Sequence, residues 1–382
     1  MYKIDRDYVI RIRRELHRIP ELAFDLPKTT ALVKRELDNL GIPYTEEYGP
    51  CSIVGYLNPN CTTKTVGIRA DMDALPVDEA TGLPFASEHS GKMHACGHDA
   101  HTAMLLGAAK ALKEIENDLP CRVKLLFQPS EEGGSGSGAA MMVKNGAVDD
   151  VDVVLAQHVA GDLEVGTIGL CVGKAMASSH TYRFEFFGKT THATMPETGI
   201  DALSAAATAY CGIRELRKRE TDPNEPIICS VNSFHAGTTQ NVVADHAVLL
   251  GTVRTFNLET DAFLERRIEE ICAAAVEGTG VTYTNTNNLR SPFVYNDAAV
   301  SEQVRVAAET VIGAENVIDL KQQMASEDFA HMQQKCPGVM FRLGTGNCKK
   351  GINANLHNPN FTVDEDSLEI GAAICVQFVC NQ

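Results

Sequence analysis

The order of apolar and helical runs constrains this chain most. Val66–Ala70, Val123–Phe127 and Val151–Ala156 are short, mostly apolar and non-alternating, and the helix-length stretches Asp99–Lys113 and Gly138–Asn145 lie between them. Strands covered on both faces read this way, so the pattern predicts an α/β layer architecture, with a mostly parallel sheet sandwiched by helices. Two amphipathic helices, Tyr8–Ile19 and Lys28–Leu40, come first; Gly41 stops the second, with Pro43 just beyond. Gly146 closes the helix expected at 138–145.

The pattern changes near Gly173. Thr181–Phe187 alternates, with Tyr182, Phe184 and Phe186 on one face, as in a half-buried antiparallel strand. A helix over Asp201–Arg219, strands over Ile227–Phe234 and Ala247–Phe256, a helix over Thr260–Glu277 and a strand near Val281–Thr284 follow. That order is β-α-β-β-α-β, the ferredoxin-like arrangement, complete within about 110 residues. The earlier style then returns with a helix at Ser301–Ile312, a strand at Val339–Leu343 and a C-terminal helix from Asp366. A length of 382 residues suits two or three domains. The expectation is two: a discontinuous α/β domain over 1–174 and 290–382, and an inserted ferredoxin-like α+β domain over 175–289.

Charge and cysteine usage narrow the partners. A formal net charge of −16 repels nucleic acid and anionic membrane surfaces, so neither is an expected partner. It also opposes an anionic small molecule at long range, but salt screens that field beyond ~8–10 Å. No run approaches the ~18 apolar residues of a membrane helix. The N-terminal KIDRDYVIRIRREL mixes charged and apolar residues, unlike a secretory signal, so a reducing cytoplasm is the expected compartment. Twelve cysteines would suit six disulfides, yet a chain this long builds its own core and needs no staples. No Cys-x-x-Cys is present, which weighs against a thiol-redox protein.

Chemistry-bearing residues gather at or beyond the ends of the expected strands. Asp71 and Asp73 follow the first, Glu131 and Glu132 the second, and His158 the third; Cys96 and His98 lie in a loop feeding the 99–113 helix. Open α/β sheets bind ligands beyond the carboxyl ends of their strands, so these residues can converge. In MHACGHDAH (93–101), Cys-x-His cannot share a helix face, but in a loop both side chains can turn to one ion. A helix N-terminus beside Cys96 is expected to lower its thiol pKa and favour a thiolate ligand. The same residues also suit a buried thiol beside surface histidines, and His94 and His101 read as structural or supporting. The Glu131–Glu132 pair suits one metal ligand beside one proton carrier, or a solvated acidic turn. Its glycines, GGSGSG at 133–138, lack the Gly-Lys-Ser/Thr of a phosphate loop and read as permissive backbone. His357, before a proline-fixed turn in LHNPNF, is a ligand candidate only in company with the others.

Taken in order, RADMDALP (69–76), MHACGHDAHTAMLLGAA (93–109), FQPSEEGGSGSGA (127–139), QHV (157–159), GKTTHATMPETGIDAL (188–203), HAGTTQNVVADHAVLLGTVRTF (235–256), SEDF (326–329) and LHNPNF (356–361) resemble a known family. It is the dinuclear metal-dependent amidohydrolases of the aminoacylase and metallocarboxypeptidase superfamily. The branch is that of auxin-conjugate hydrolases, hippurate hydrolases and N-acetyl-diaminopimelate deacetylases. The resemblance spans nearly the whole chain. It implies two divalent ions, zinc or manganese with cobalt or nickel as alternatives, on Cys96, His98, Glu132, His158 and His357, with Cys96 bridging. It implies Glu131 as general base, Asp73 as a supporting catalytic carboxylate, His192 as oxyanion stabiliser, and Asn241 and Arg254 as substrate-binding residues. Asp71 stands where other branches carry a metal-binding histidine. The inserted domain is implied to be a lid that also forms a homodimer. The implied substrate is an N-acyl amino acid or short peptide, with the dipeptidase or carboxypeptidase reaction as an alternative. A non-catalytic metal- or ligand-binding protein has no need of Glu131. Two departures, Pro196-Glu197 for Pro-His and Ala244 for proline, bear on substrate preference.

Overall fold

The computed structural model describes residues 2–133, 136–286 and 290–382. Gly134 and Ser135 of the glycine-rich run, and Leu289 beside the expected domain boundary, lie outside the described residues. The chain divides into two compact units: Met1–Ala175 with Tyr295–Lys321 and Asp328–Gln382, and Met176–Val294 with Gln322–Glu327. Nothing in the sequence pattern marks 322–327 as part of the second unit.

The first unit opens with helices α1 (Arg6–Arg18) and α2 (Pro27–Leu40), then strands β1 (Tyr44–Thr45), β2 (Ile53–Leu57) and β3 (Thr65–Asp71). Helix α3 (His98–Glu114), β4 (Arg122–Gln128), α4 (Gly138–Lys144), β5 (Val153–Glu164), β6 (Ile168–Leu170) and β7 (Gly173–Met176) follow. The second unit supplies β8 (Ser179–Phe187), α5 (Ala202–Arg219), β9 (Ile228–Ala236), β10 (His246–Arg254), α6 (Leu258–Val276), β11 (Thr282–Asn285) and β12 (Arg290–Ser291). After β13 (Val294–Asn296) the first unit is completed by α7 (Ala298–Ile312), β14 (Val317–Asp319), α8 (Ala330–Gln333), β15 (Gly338–Gly346) and α9 (Asp366–Cys380).

The first unit's sheet runs β1-β2-β4-β3-β5-β15-β6-β14. Its centre is parallel: β4 with β3, β3 with β5, and β5 with β15. Antiparallel junctions lie outside that centre, at β1–β2, β2–β4 and β15–β6. Every residue of β3 is buried, which explains why it lacks the alternation of a one-faced strand. Helix α3 is buried along most of its length, between α1 and α9. Gly107 permits that approach, because a Cβ there would come within 2.4 Å of Val9 Cγ2. At the C-terminus of α2, Gly41 adopts φ +63°, the left-handed cap expected of it.

In the second unit the sheet order is β11-β8-β10-β9, all antiparallel, with β12 also on β8. Tyr182, Phe184 and Phe186 point into one core with residues of α5 and α6 such as Ala206, Ile213, Leu264 and Ile268. Period-two alternation along β8 is thus the signature of a sheet covered by helices on one face. Among the described residues no helix is long and apolar enough to cross a membrane, and all twelve cysteines are free.

Candidate metal centre

The first unit brings five of the expected ligands together. Cys96 and Gly97 lead into α3, and His98 is its first residue rather than part of the loop. The helix is capped by Gly97, at φ +82° and with no side-chain hydrogen bond; a Cβ there would lie 2.4 Å from Val159 Cγ2. Ser130, at φ +50°, turns the chain after β4 so that Glu131 and Glu132 face inward. His158 lies within β5, not beyond it, because that strand runs on to Glu164. His357 sits between β15 and α9 at φ +64°, with its backbone N–H donated to Ala95 O at 2.8 Å.

Two donor triads result, each with its ligand atoms within 4.8 Å of one another: Cys96, His98 and His158, and Cys96, Glu132 and His357. Cys96 belongs to both, and a third group of His98, Glu131 and Glu132 adjoins them. Second partners fix the imidazoles. The Nδ1–H of His98 donates to Asp73 O at 2.8 Å, and that of His158 to Val159 O at 2.8 Å, so each ring, when neutral, presents an Nε2 lone pair. Asp73 contributes again through its carboxylate, which accepts the N–H of Glu131 at 2.9 Å and of Glu132 at 3.1 Å. It therefore sets the turn that carries both glutamates.

The donor set fits a cation. His98 Nε2 is buried without a hydrogen bond although Asp71 Oδ2, Glu132 Oε1 and Glu131 Oε2 stand 3.6, 3.8 and 4.0 Å away. Glu132 Oε1 likewise makes no hydrogen bond, with His357 Nε2 at 3.5 Å. Cys96 Sγ lies 3.5 Å from His158 Nε2. Polar atoms buried this way are costly unless something satisfies them. Burial would lower the pKa of His98, but Asp71, Asp73 and Glu132 outweigh it and raise it to about 10. Burial takes His158 down to about 3, leaving it neutral and able to ligate. For Cys96 the expected lowering is reversed: burial, with Glu132, Glu131 and Asp71, pushes the thiol well above its usual range. Desolvation and three carboxylates outweigh the helix terminus, so a thiolate there needs a cation beside it.

His101 is not a ligand, since Asp71 Oδ1 at 2.6 Å and the Val159 N–H at 2.9 Å take both its nitrogens. His94 is buried with neither nitrogen hydrogen-bonded, and burial lowers it to about 3. Sequence reasoning gave no role to the polar network beneath the site. Arg69, buried in β3, reaches Gln128 at 2.8 Å, Asp71 at 2.7 Å and Asp328 of the SEDF segment at 3.1 Å. Asp328 in turn accepts the Ser137 hydroxyl at 2.7 Å and the Ala139 N–H at 3.1 Å, tying down the far end of the glutamate loop. An arginine in an apolar strand was the available signal, because a buried guanidinium requires carboxylates.

His192, Asn241 and Arg254 belong to the second unit. His192 is exposed, pairs through its backbone with Val242, and holds Thr194 Oγ1 at 2.7 Å by Nδ1. Asn241 is exposed beside it and accepts the Ala193 N–H at 2.9 Å. Arg254 is partly buried at the end of β10, where it donates to Val253 O at 3.0 Å and to Thr252 Oγ1 and has no carboxylate in ion-pair range among the described residues. Burial lowers its pKa. Ala244 lines a cavity of about 350 Å³ with Leu203, Thr238 and Val242, whereas Glu197 is exposed.

Residues 67–381 match the model of peptidase family M20/M25/M40. The chain is 35% identical over 372 residues to IAA-amino acid hydrolase ILR1-like 4 of Arabidopsis thaliana, covering 96% of this chain and 84% of that one. It is 36% identical to N-acetyl-L-cysteine deacetylase of Bacillus subtilis over 364 residues, 94% and 84% of the two chains. With thermostable carboxypeptidase 2 of Saccharolobus solfataricus it shares 34% over 371 residues, 96% and 93% of the two. A Bacillus subtilis crystal structure described as a dinuclear metal-binding M20 peptidase superposes with a TM-score of 0.80 at 30% identity, covering 98% and 97%.

Proposed function

This chain belongs to peptidase family M20/M25/M40, and from that premise we propose that it is a metal-dependent hydrolase cleaving the amide bond of N-acyl amino acids, with Glu131 as general base. One observation carries the reading: two donor triads share Cys96, contain buried donors with no hydrogen bond, and stand beside a second, adjacent carboxylate.

Cys96, His98, Glu132, His158 and His357 would hold two divalent ions. A mixed thiolate, imidazole and carboxylate set suits zinc, with manganese, cobalt and nickel as the alternatives to test. Bound ions would polarise the amide carbonyl and make a water molecule more acidic. Glu131 accepts a proton from that water as its oxygen bonds to the carbonyl carbon. When the C–N bond breaks, Glu131 returns the proton to the leaving amine, so acid, amine and water balance. Asp73 keeps Glu131 and Glu132 in register through their backbone N–H groups.

The reading extends to the second unit, with roles for His192 on the oxyanion and for Asn241 and Arg254 on the substrate. Arg254 has no carboxylate in ion-pair range among the described residues, and a guanidinium grips a carboxylate bidentately. His192→Ala is expected to lower kcat with metal content unchanged; an unaltered kcat removes His192 from the reaction. A homodimer through the second unit and a reducing cytoplasm that keeps Cys96 reduced complete the reading; sedimentation velocity tests the first.

Similarity to a carboxypeptidase supports a second reading, peptide-bond hydrolysis with a free amine on the acyl side. Metal-reconstituted enzyme should therefore be assayed on N-acetyl, N-benzoyl, long-chain and indole-acetyl amino acids and on unblocked dipeptides sharing the C-terminal residue. Higher kcat/KM for the N-acyl series supports the proposal; preference for the dipeptides moves the assignment to the second reading.

A further inference from the structure

We propose that His101 is a positioning residue that fixes His158 as a ligand by holding the peptide between His158 and Val159. The inference rests on the metal-binding reading above. Strands β3 and β5 pair in parallel from Val66↔Val153 to Arg69↔Ala156, and the pairing stops there. Asp71 ends β3 two residues later, whereas β5 continues through His158 and Val159. The ring of His101, from the first turn of α3, bridges these two strand ends. It takes Asp71 Oδ1 at 2.6 Å on one side and the Val159 N–H at 2.9 Å on the other, in place of the missing ladder bonds. Thr102 adds its hydroxyl to Asp71 O at 2.8 Å.

Donor direction settles the tautomer. A backbone N–H only donates, so Nε2 of His101 holds a lone pair and Nδ1 carries the proton given to Asp71. Arg69 at 2.7 Å holds the other Asp71 oxygen. Val159 is thereby engaged on both sides, its N–H by His101 and its carbonyl by the His158 Nδ1–H at 2.8 Å. The His101 and His158 rings also pack edge to face, with centroids 4.7 Å apart. Removing His101 leaves a buried Val159 N–H without an acceptor and His158 without its ring contact. The strand end that aims His158 Nε2 toward Cys96 Sγ is then free to shift.

The test is a Zn²⁺ titration of apo wild type, His101→Ala and His101→Gln against a competing chromophoric chelator. Wild type is expected to take up two ions. His101→Ala is expected to lose about 10–100-fold in affinity at the step served by His158, and less at the other. His101→Gln is expected to recover most of that loss, because its amide accepts the Val159 N–H and donates to Asp71 while remaining a poor zinc ligand. Should His101→Ala fail to fold, His101→Phe, which keeps a ring and drops both hydrogen bonds, replaces it. Variants that all titrate like wild type overturn the inference; so does a glutamine variant as impaired as alanine, which would make His101 a ligand. Wild type that binds no zinc overturns the metal reading itself, a result distinct from either.

Discussion

Cys96 is a thiol that its own surroundings keep protonated, through burial and the carboxylates of Glu132, Glu131 and Asp71. A bare catalytic cysteine needs the opposite field. Positive charge beside the sulfur would offset that field, and Cys96, which belongs to both donor triads, would be the residue to share it. Cys96→Ser is therefore expected to lose zinc stoichiometry, measured by elemental analysis after dialysis, and most activity with it. A fully loaded and fully active serine variant would refute the shared-ligand role. The identity of the cluster was legible because Cys96, His98 and the Glu131–Glu132 pair lie in short segments of unusual composition. The direction of the Cys96 shift was not, since it depends on carboxylates distant in sequence. Nor were the imidazole tautomers, which are set by the carbonyls of Asp73 and Val159.

At the scale of elements, the apolar runs marked the central strands and helices to within a few residues. Strand β5 was the main exception: Gln157, His158, Gly161 and Asp162 look like a loop, yet the strand continues through them to Glu164 beside β15. The strands outside the parallel centre, such as β2, β6 and β14, went unread because short segments give no period to count. The start of α3 was read to within one residue, but its cap was not legible because it is conformational rather than a side-chain hydrogen bond. Gly97 thus invites a comparison with Gly107, where an added Cβ meets another valine at the same 2.4 Å. Gly107→Ala is expected to cost about 1–3 kcal/mol in denaturant unfolding with zinc content intact. Gly97→Ala, which adds a left-handed backbone strain beside two ligands, is expected to cost at least as much and to reduce zinc content too. Equal zinc content in the two variants would show that the cap does not position the ligands.

The chain has two compact units, and the five proposed metal ligands all belong to the first. A ligand stabilises only the part of a protein that binds it, by about 2.7 kcal/mol at a hundredfold excess over Kd. Calorimetry of apo and zinc-loaded protein is thus expected to raise one unfolding transition and leave the second unit's in place. Equal movement of all unfolding would mean that the units melt as one. The interruption of an α/β pattern by a β-α-β-β-α-β order was readable from periodicity, because strands buried on both faces give way to a strand that alternates, each unit having a core of its own. Membership of 322–327 in the second unit was not readable, since it rests on where the chain passes in space.

The proposed reaction depends on Glu131 as the group that would move the proton, distinct from the residues that would hold metal. The most direct test is the kcat of Glu131→Gln for an N-acyl amino acid, measured on protein verified to carry two zinc ions per chain. A fall of about 10²-fold or more with full metal occupancy is predicted. A fully loaded glutamine variant turning over at the wild-type rate would contradict it.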